Sequence, residues 1–133
     1  MLPFLLAAAL ATAQPSPCPT DLLVANPRIK VVRARNRAFD NNIVSVDVRN
    51  NGQVPQRTDI RQHLDLLLGN VVVGSQPIPA IDAQDSYLAA FRFQLKHVKK
   101  RVPQPVTFHL VIDSKIAPGE NCTTTNDKLT ATL

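Results

Sequence analysis

In "IVSVDVRNNG" the apolar and polar positions alternate without a break. Val44, Val46 and Val48 fall on one side of an extended chain, and Ser45, Asp47 and Arg49 on the other. Period two with one apolar face predicts a half-buried strand. Asn50-Asn51-Gly52 ends it, because Asn and Gly tolerate positive φ. The pattern recurs along the chain. "DSYLAAFRFQLK" places Tyr87, Ala89, Phe91, Phe93 and Leu95 inward, with Ser86, Arg92, Gln94 and Lys96 outward. "VTFHLVIDS" turns Val106, Phe108, Leu110 and Ile112 inward, and "KLTATL" does the same with Leu129, Ala131 and Leu133.

Two stretches are less regular. "DLLVANPRIKVVRAR" alternates apolar and basic residues through Arg28, Ile29, Lys30 and Val31, then slips at Val31-Val32. Such a slip predicts a β-bulge or a strand that changes sheets. In "IRQHLDLLLGNVVVGS", Ile60, Leu64, Leu66 and Leu68 share a face on which Gln62 is the exception. A helix over 60–68 competes here. The Gly69-Asn70 pair between two apolar runs argues instead for a hairpin with Gly first, returning through Val71 to Val73. The sum is about seven strands, turn signals between them and no convincing helix. The expected fold is all-β: a seven-stranded, immunoglobulin-like antiparallel sandwich.

Composition narrows the class. The 133 residues favour one domain, and 44% hydrophobic content is too apolar for a disordered chain. A net charge of +5 makes anionic partners a natural expectation. The start, "MLPFLLAAALATAQPSPC", has an apolar run from Leu2 to Ala13 and a small-x-small site at Ala11-Thr12-Ala13. That is a signal-peptide pattern too short to span a bilayer. No Lys or Arg precedes the run, and a buried N-terminal helix is the competing reading. The expected division is residues 1–13 as signal peptide, 14–20 as an N-terminal segment and 21–133 as the sandwich domain. Pro15-Ser16-Pro17 before Cys18 fits a lipobox poorly. An exported chain with two cysteines, Cys18 and Cys122, favours one disulfide. Cys18 precedes the first strand and Cys122 the last, so the bridge expects those two strand ends at one pole.

"DLLVANPRIKVV", "VSVDVRNNGQVP", "LDLLLGNVVVGSQPI", "YLAAFRFQL" and "VTFHLVIDSKIAPGENCTTTNDKLTATL" together resemble the CARDB family, the cell-adhesion-related domain found in bacteria. The resemblance runs from about Asp21 to Leu133. It rests on the Asn-Gly turn after the second strand, the Gly-Asn hairpin and the acidic stretch before a Thr-rich last strand. It implies an immunoglobulin-like sandwich serving as a surface or secreted accessory module.

Catalytic chemistry finds little support. No Gly-x-Ser-x-Gly surrounds any serine, and there is no Walker loop, dinucleotide fingerprint or zinc helix. No enzyme, cofactor or metal is expected. His63 and His109 fall on outward positions and would approach only if their strands are neighbours, whereas His97 lies in a basic run and is read as solvated. Asp113, Glu120, Asn126 and Asp127 carry oxygen ligands of the kind calcium prefers, yet Asp and Asn are also ordinary turn formers. Asn121-Cys122-Thr123 fits a glycosylation acceptor, which a disulfide at its middle residue would obstruct.

The sharper candidate is "KHVKKRV". Lys96, Lys99, Lys100 and Arg101 crowd one loop, and Arg28, Lys30, Arg33, Arg35 and Arg37 add a basic N-terminal strand, either as a solvated face or as an anion-binding patch. With Phe91, Phe93 and Phe108 assigned inward, little remains to stack on bases, so specific nucleic-acid binding is not expected, and the same lack of exposed aromatics argues against carbohydrate binding. The expected role is an exported, non-catalytic binding or adhesion-type module acting through loops or sheet edges. Its partner would be another protein or an anionic cell-surface polymer. The alternative is a periplasmic structural or assembly accessory that pairs through an exposed edge strand. Either way the expected location is secreted or periplasmic, in a bacterium.

Overall fold

The computed structural model describes residues 20–33, 38–113 and 127–133. Seven strands follow one another: β1 (Leu22–Val32), β2 (Phe39–Asn50), β3 (Gln62–Leu68), β4 (Val71–Pro77), β5 (Ser86–Lys96), β6 (Pro105–Ile112) and β7 (Lys128–Thr132). All pairings are antiparallel, and the strands form two sheets ordered β1-β2-β5 and β4-β3-β6-β7. Of residues 60–68, the stretch from Gln62 to Leu68 is strand and none is helix, as the Gly-Asn turn requires. Gly69 takes φ +62, and Leu68 pairs with Val71 across the turn.

The alternation carries through to burial. Val44, Val46 and Val48 are sealed from solvent, and Leu64, Leu66, Val106, Phe108 and Leu110 meet them from the other sheet. Each such side chain contributes about 1.5–3 kcal/mol by leaving water. Phe91 and Phe108 pack with ring centroids 6.5 Å apart and planes tilted by 46°.

The slip in β1 is not where the apolar doublet suggested. The register with β2 shifts between Ala25 and Arg28, around Asn26 at φ 56 and Pro27. Proline has no N–H to give the ladder and Asn tolerates the left-handed region, so the bulge forms there. Beyond it Ile29 faces Val44 and Lys30 faces Ile43, and Val31-Val32 simply continues the alternation.

Register fixes two poles. Leu22 pairs with Asn50, Arg49 with Ser86 and Gln62 with Ile112. Leu110 N–H donates to the Asp127 carbonyl, 2.8 Å away. The starts of β1, β3, β5 and β7 therefore share the first pole with the ends of β2, β4 and β6. Buried amides tie its loops. Asn50 is fully buried; its Oδ1 accepts from Asp21 and Gly52 N–H, and its Nδ2 donates to the Val54 and Ile81 carbonyls. Gln56 and Gln62 exchange reciprocal hydrogen bonds of 2.9 and 2.8 Å, which explains Gln62 on an apolar face. The second pole holds the β3–β4 hairpin and the crossover from β5 to β6.

Candidate functional site

The basic stretch of 96–101 begins this crossover. Lys96 ends β5 on an outward, exposed position, and His97 N–H donates to the Ala38 carbonyl at 2.8 Å. Lys99 and Lys100 are exposed at a bend. Arg101 then turns back: its Nη2 donates to Asp40 Oδ2 at 2.9 Å and to the Lys96 carbonyl at 3.3 Å.

Asp40 explains that turn. Counting back by twos from Val44 puts Asn42 and Asp40 on the inward face of β2, and both are buried. A carboxylate removed from water must be paired. Asp40, its side chain 3% exposed, receives Arg101 on one oxygen and His97 Nδ1 at 2.8 Å on the other. His97 thus differs from the solvated residue expected, because the inward carboxylate recruits it. The four cations also divide. Arg101 is engaged in an ion pair, whereas Lys96, Lys99 and Lys100 project with no acidic partner among the described residues. Asp40 was not singled out from the sequence, although the two-residue period already turned it inward.

The other candidates fall elsewhere. β3 and β6 are neighbours, with Asp65 opposite His109 and His63 Nε2 3.5 Å from Asp65 Oδ1. Among the described residues, no group of three His, Cys, Asp or Glu is arranged to hold a metal ion. Asp113 and Asp127 flank the first pole, Asp127 buried; Glu120 and Asn126 lie outside the described residues, as do Cys18 and Cys122. On the outer face of the three-stranded sheet, Asp47 accepts from Asn26 Nδ2 at 3.0 Å and Arg28 Nη2 at 2.9 Å. Partial burial alone would raise the Asp47 pKa. The Asn26 hydrogen bond, the Arg28 hydrogen bond and the Arg28 charge outweigh it, and the group sits below its ordinary 3.8. Among the described residues, no helix is long and apolar enough to cross a membrane.

The fold is shared with known structures. A CARDB domain from Pyrococcus furiosus, crystallised in complex with di-metal ions, superposes with a TM-score of 0.62 at 11% identity, covering 86% of each chain. A domain of a protein provisionally named as a cell surface protein from Methanosarcina acetivorans gives 0.57 at 18% identity, over 86% of this chain and 90% of that one. At such identities the likeness is one of fold: this chain has a CARDB-like fold. No family model and no curated protein matches the sequence.

Proposed function

We propose that the chain is an exported, non-catalytic binding module of the cell surface or periplasm, recognising an anionic partner through the second pole. Residues 1–13 act as its signal peptide, and residues 21–133 form the binding domain. The observation that carries the reading is the division of the basic loop. Arg101 and His97 direct polar groups to Asp40, and this anchors the stem from which Lys99 and Lys100 project without acidic partners among the described residues. The fold shared with the CARDB domain and with the Methanosarcina domain supports a surface module. A Cys18–Cys122 disulfide belongs to this reading. Its support is that the start of β1 and the start of β7 lie at the same pole.

Lys99→Ser/Lys100→Ser tests the loop while leaving the Arg101–Asp40 pair intact. Retention on a heparin column should fall, and the difference from the unaltered protein should shrink as salt rises, because exposed charges are screened. Unchanged retention would overturn the role of the loop.

One observation favours the edge-pairing alternative. β4 is the outer strand of its sheet, with Val71, Val72 and Val73 exposed and no charged residue from Val71 to Pro77. The other outer strands each carry a cation: Lys30 on β1, Arg92 on β5 and Lys128 on β7. Uncharged edges are the ones open to strand addition. Under that reading Val72→Lys abolishes association with the partner and the double lysine substitution does not.

A further inference from the structure

The outer face of the three-stranded sheet carries a second cationic surface. Register sets its rows. Lys30, Ile43 and Arg92 lie side by side across β1, β2 and β5; Val32, Asn41 and Gln94 form the next row; Phe39 and Lys96 pair beyond them. Lys30 and Arg92 are exposed, and among the described residues no hydrogen bond or ion pair engages either side chain. Two strand spacings separate their backbones, about 10 Å. The acid on this face, Asp47, is already held by Arg28. Gln94 Nε2 donates to Asn41 Oδ1 at 3.1 Å, which leaves further amide donors and acceptors of the pair open to a ligand. Phe39 is half exposed and stands on the same face. The aromatic side chains assigned inward from sequence did not include it. Beside Arg92 and the amide pair lies a cavity of about 370 Å³, lined by Val32, Asn41, Ile43, Arg92 and Gln94 among others, with Lys30, Phe39 and Lys96 outside its lining. That is the lower range of small-ligand sites.

We infer that this face binds an acidic polysaccharide, one uronate unit seated in the cavity with its carboxylate on Arg92. The amide pair Asn41–Gln94 meets the hydroxyls, Ile43 and Val32 meet the apolar side of the ring, and Phe39 offers a stacking surface to the next unit. Lys30 and Lys96 take the carboxylates further along the chain. An acidic peptide fits less well. It would use the cations alone and leave a flat aromatic and an amide pair without function. The inference rests on the reading that the protein recognises anionic partners, and it adds to the Lys99–Lys100 bend a second surface for them.

The test compares a defined oligogalacturonate, its methyl-esterified neutral form and polyglutamate by titration calorimetry. The probes are applied to the full chain and to Arg92→Gln, Phe39→Ala and Lys99→Ser/Lys100→Ser. The Arg92 side chain is exposed and has no partner among the described residues, so its change leaves the fold intact; melting temperatures check the Phe39 variant. Oligogalacturonate should bind and the methyl ester should not. Arg92→Gln and Phe39→Ala should each weaken oligogalacturonate binding tenfold or more, with less than a twofold effect from the double lysine change. Equal binding of the ester, or oligogalacturonate affinity indifferent to Arg92 and Phe39, overturns the inference. Polyglutamate binding with the same dependence on both residues also overturns it and points to an acidic protein surface. Binding lost only with Lys99 and Lys100 overturns the face and leaves the loop reading standing. No binding of either polyanion at low salt removes both.

Discussion

A single buried carboxylate decides how the basic loop is built. Arg101 looks in the sequence like one more loop cation, but together with His97 it makes Asp40 tolerable inside the sandwich. Arg101→Ser should therefore cost about 3 kcal/mol, since it strips one partner from a buried charge. Urea unfolding would measure the loss. Lys99→Ser should stay within about 0.5 kcal/mol, as exposed substitutions do. Asp47 makes a different kind of contribution. Its folded-state pKa lies below the ordinary carboxylate value, so its stabilisation is complete above that value and is lost as pH falls through the folded pKa. Asp47→Asn should remove this component. The fall in stability on acidification below about pH 4 becomes shallower, as acid titrations followed by circular dichroism would show.

At the scale of elements, period two made the strands legible. Val44 to Val48, Tyr87 to Leu95 and Val106 to Ile112 alternate because each strand has one face on the core and one on water. The bulge was harder to place. An apolar doublet at Val31-Val32 drew attention, while the physical cause lay in a Pro that cannot donate and an Asn in the left-handed region. In β4 three exposed valines hide the alternation, because the register with β3 shifts between Leu66 and Leu67 and Val73 is the extra residue. Gly74 sits just beyond that bulge. A Cβ there would come within 2.9 Å of the Phe91 ring, which is itself packed on Phe108. Gly74→Ala should thus destabilise the protein by about 1–3 kcal/mol through overpacking, read as a lower urea midpoint.

For the molecule as a whole, seven strands in two antiparallel sheets followed from strand count and turns, but the order within the sheets and the two candidate sites did not. The basic loop could be seen as a run of cations. Its division into a structural arginine and projecting lysines needed the inward position of Asp40. The sheet face was legible only in part: Arg28 and Lys30 stand out as a basic strand, but Ile43 and Arg92 join Lys30 only through register. The proposed Cys18–Cys122 bridge is also a property of this scale. It would close a loop of about 100 residues and contribute up to roughly 4–5 kcal/mol in the chain-entropy account. Non-reducing peptide mapping of the protein purified from the cell envelope or medium should recover the two cysteine peptides joined. Two alkylatable thiols would remove the bridge.

The convergence of His97 and Arg101 on Asp40 also bears on the speed of recognition. Both stems of the bend are clamped to β2 before any partner arrives, so an encounter need order only the lysine side chains and not the backbone that bears them. Association should then be fast and steered by charge, with no slow isomerisation preceding capture. Asp40→Asn would release the clamp while keeping its shape, and stopped-flow traces would gain a slower phase whose rate no longer scales with partner concentration.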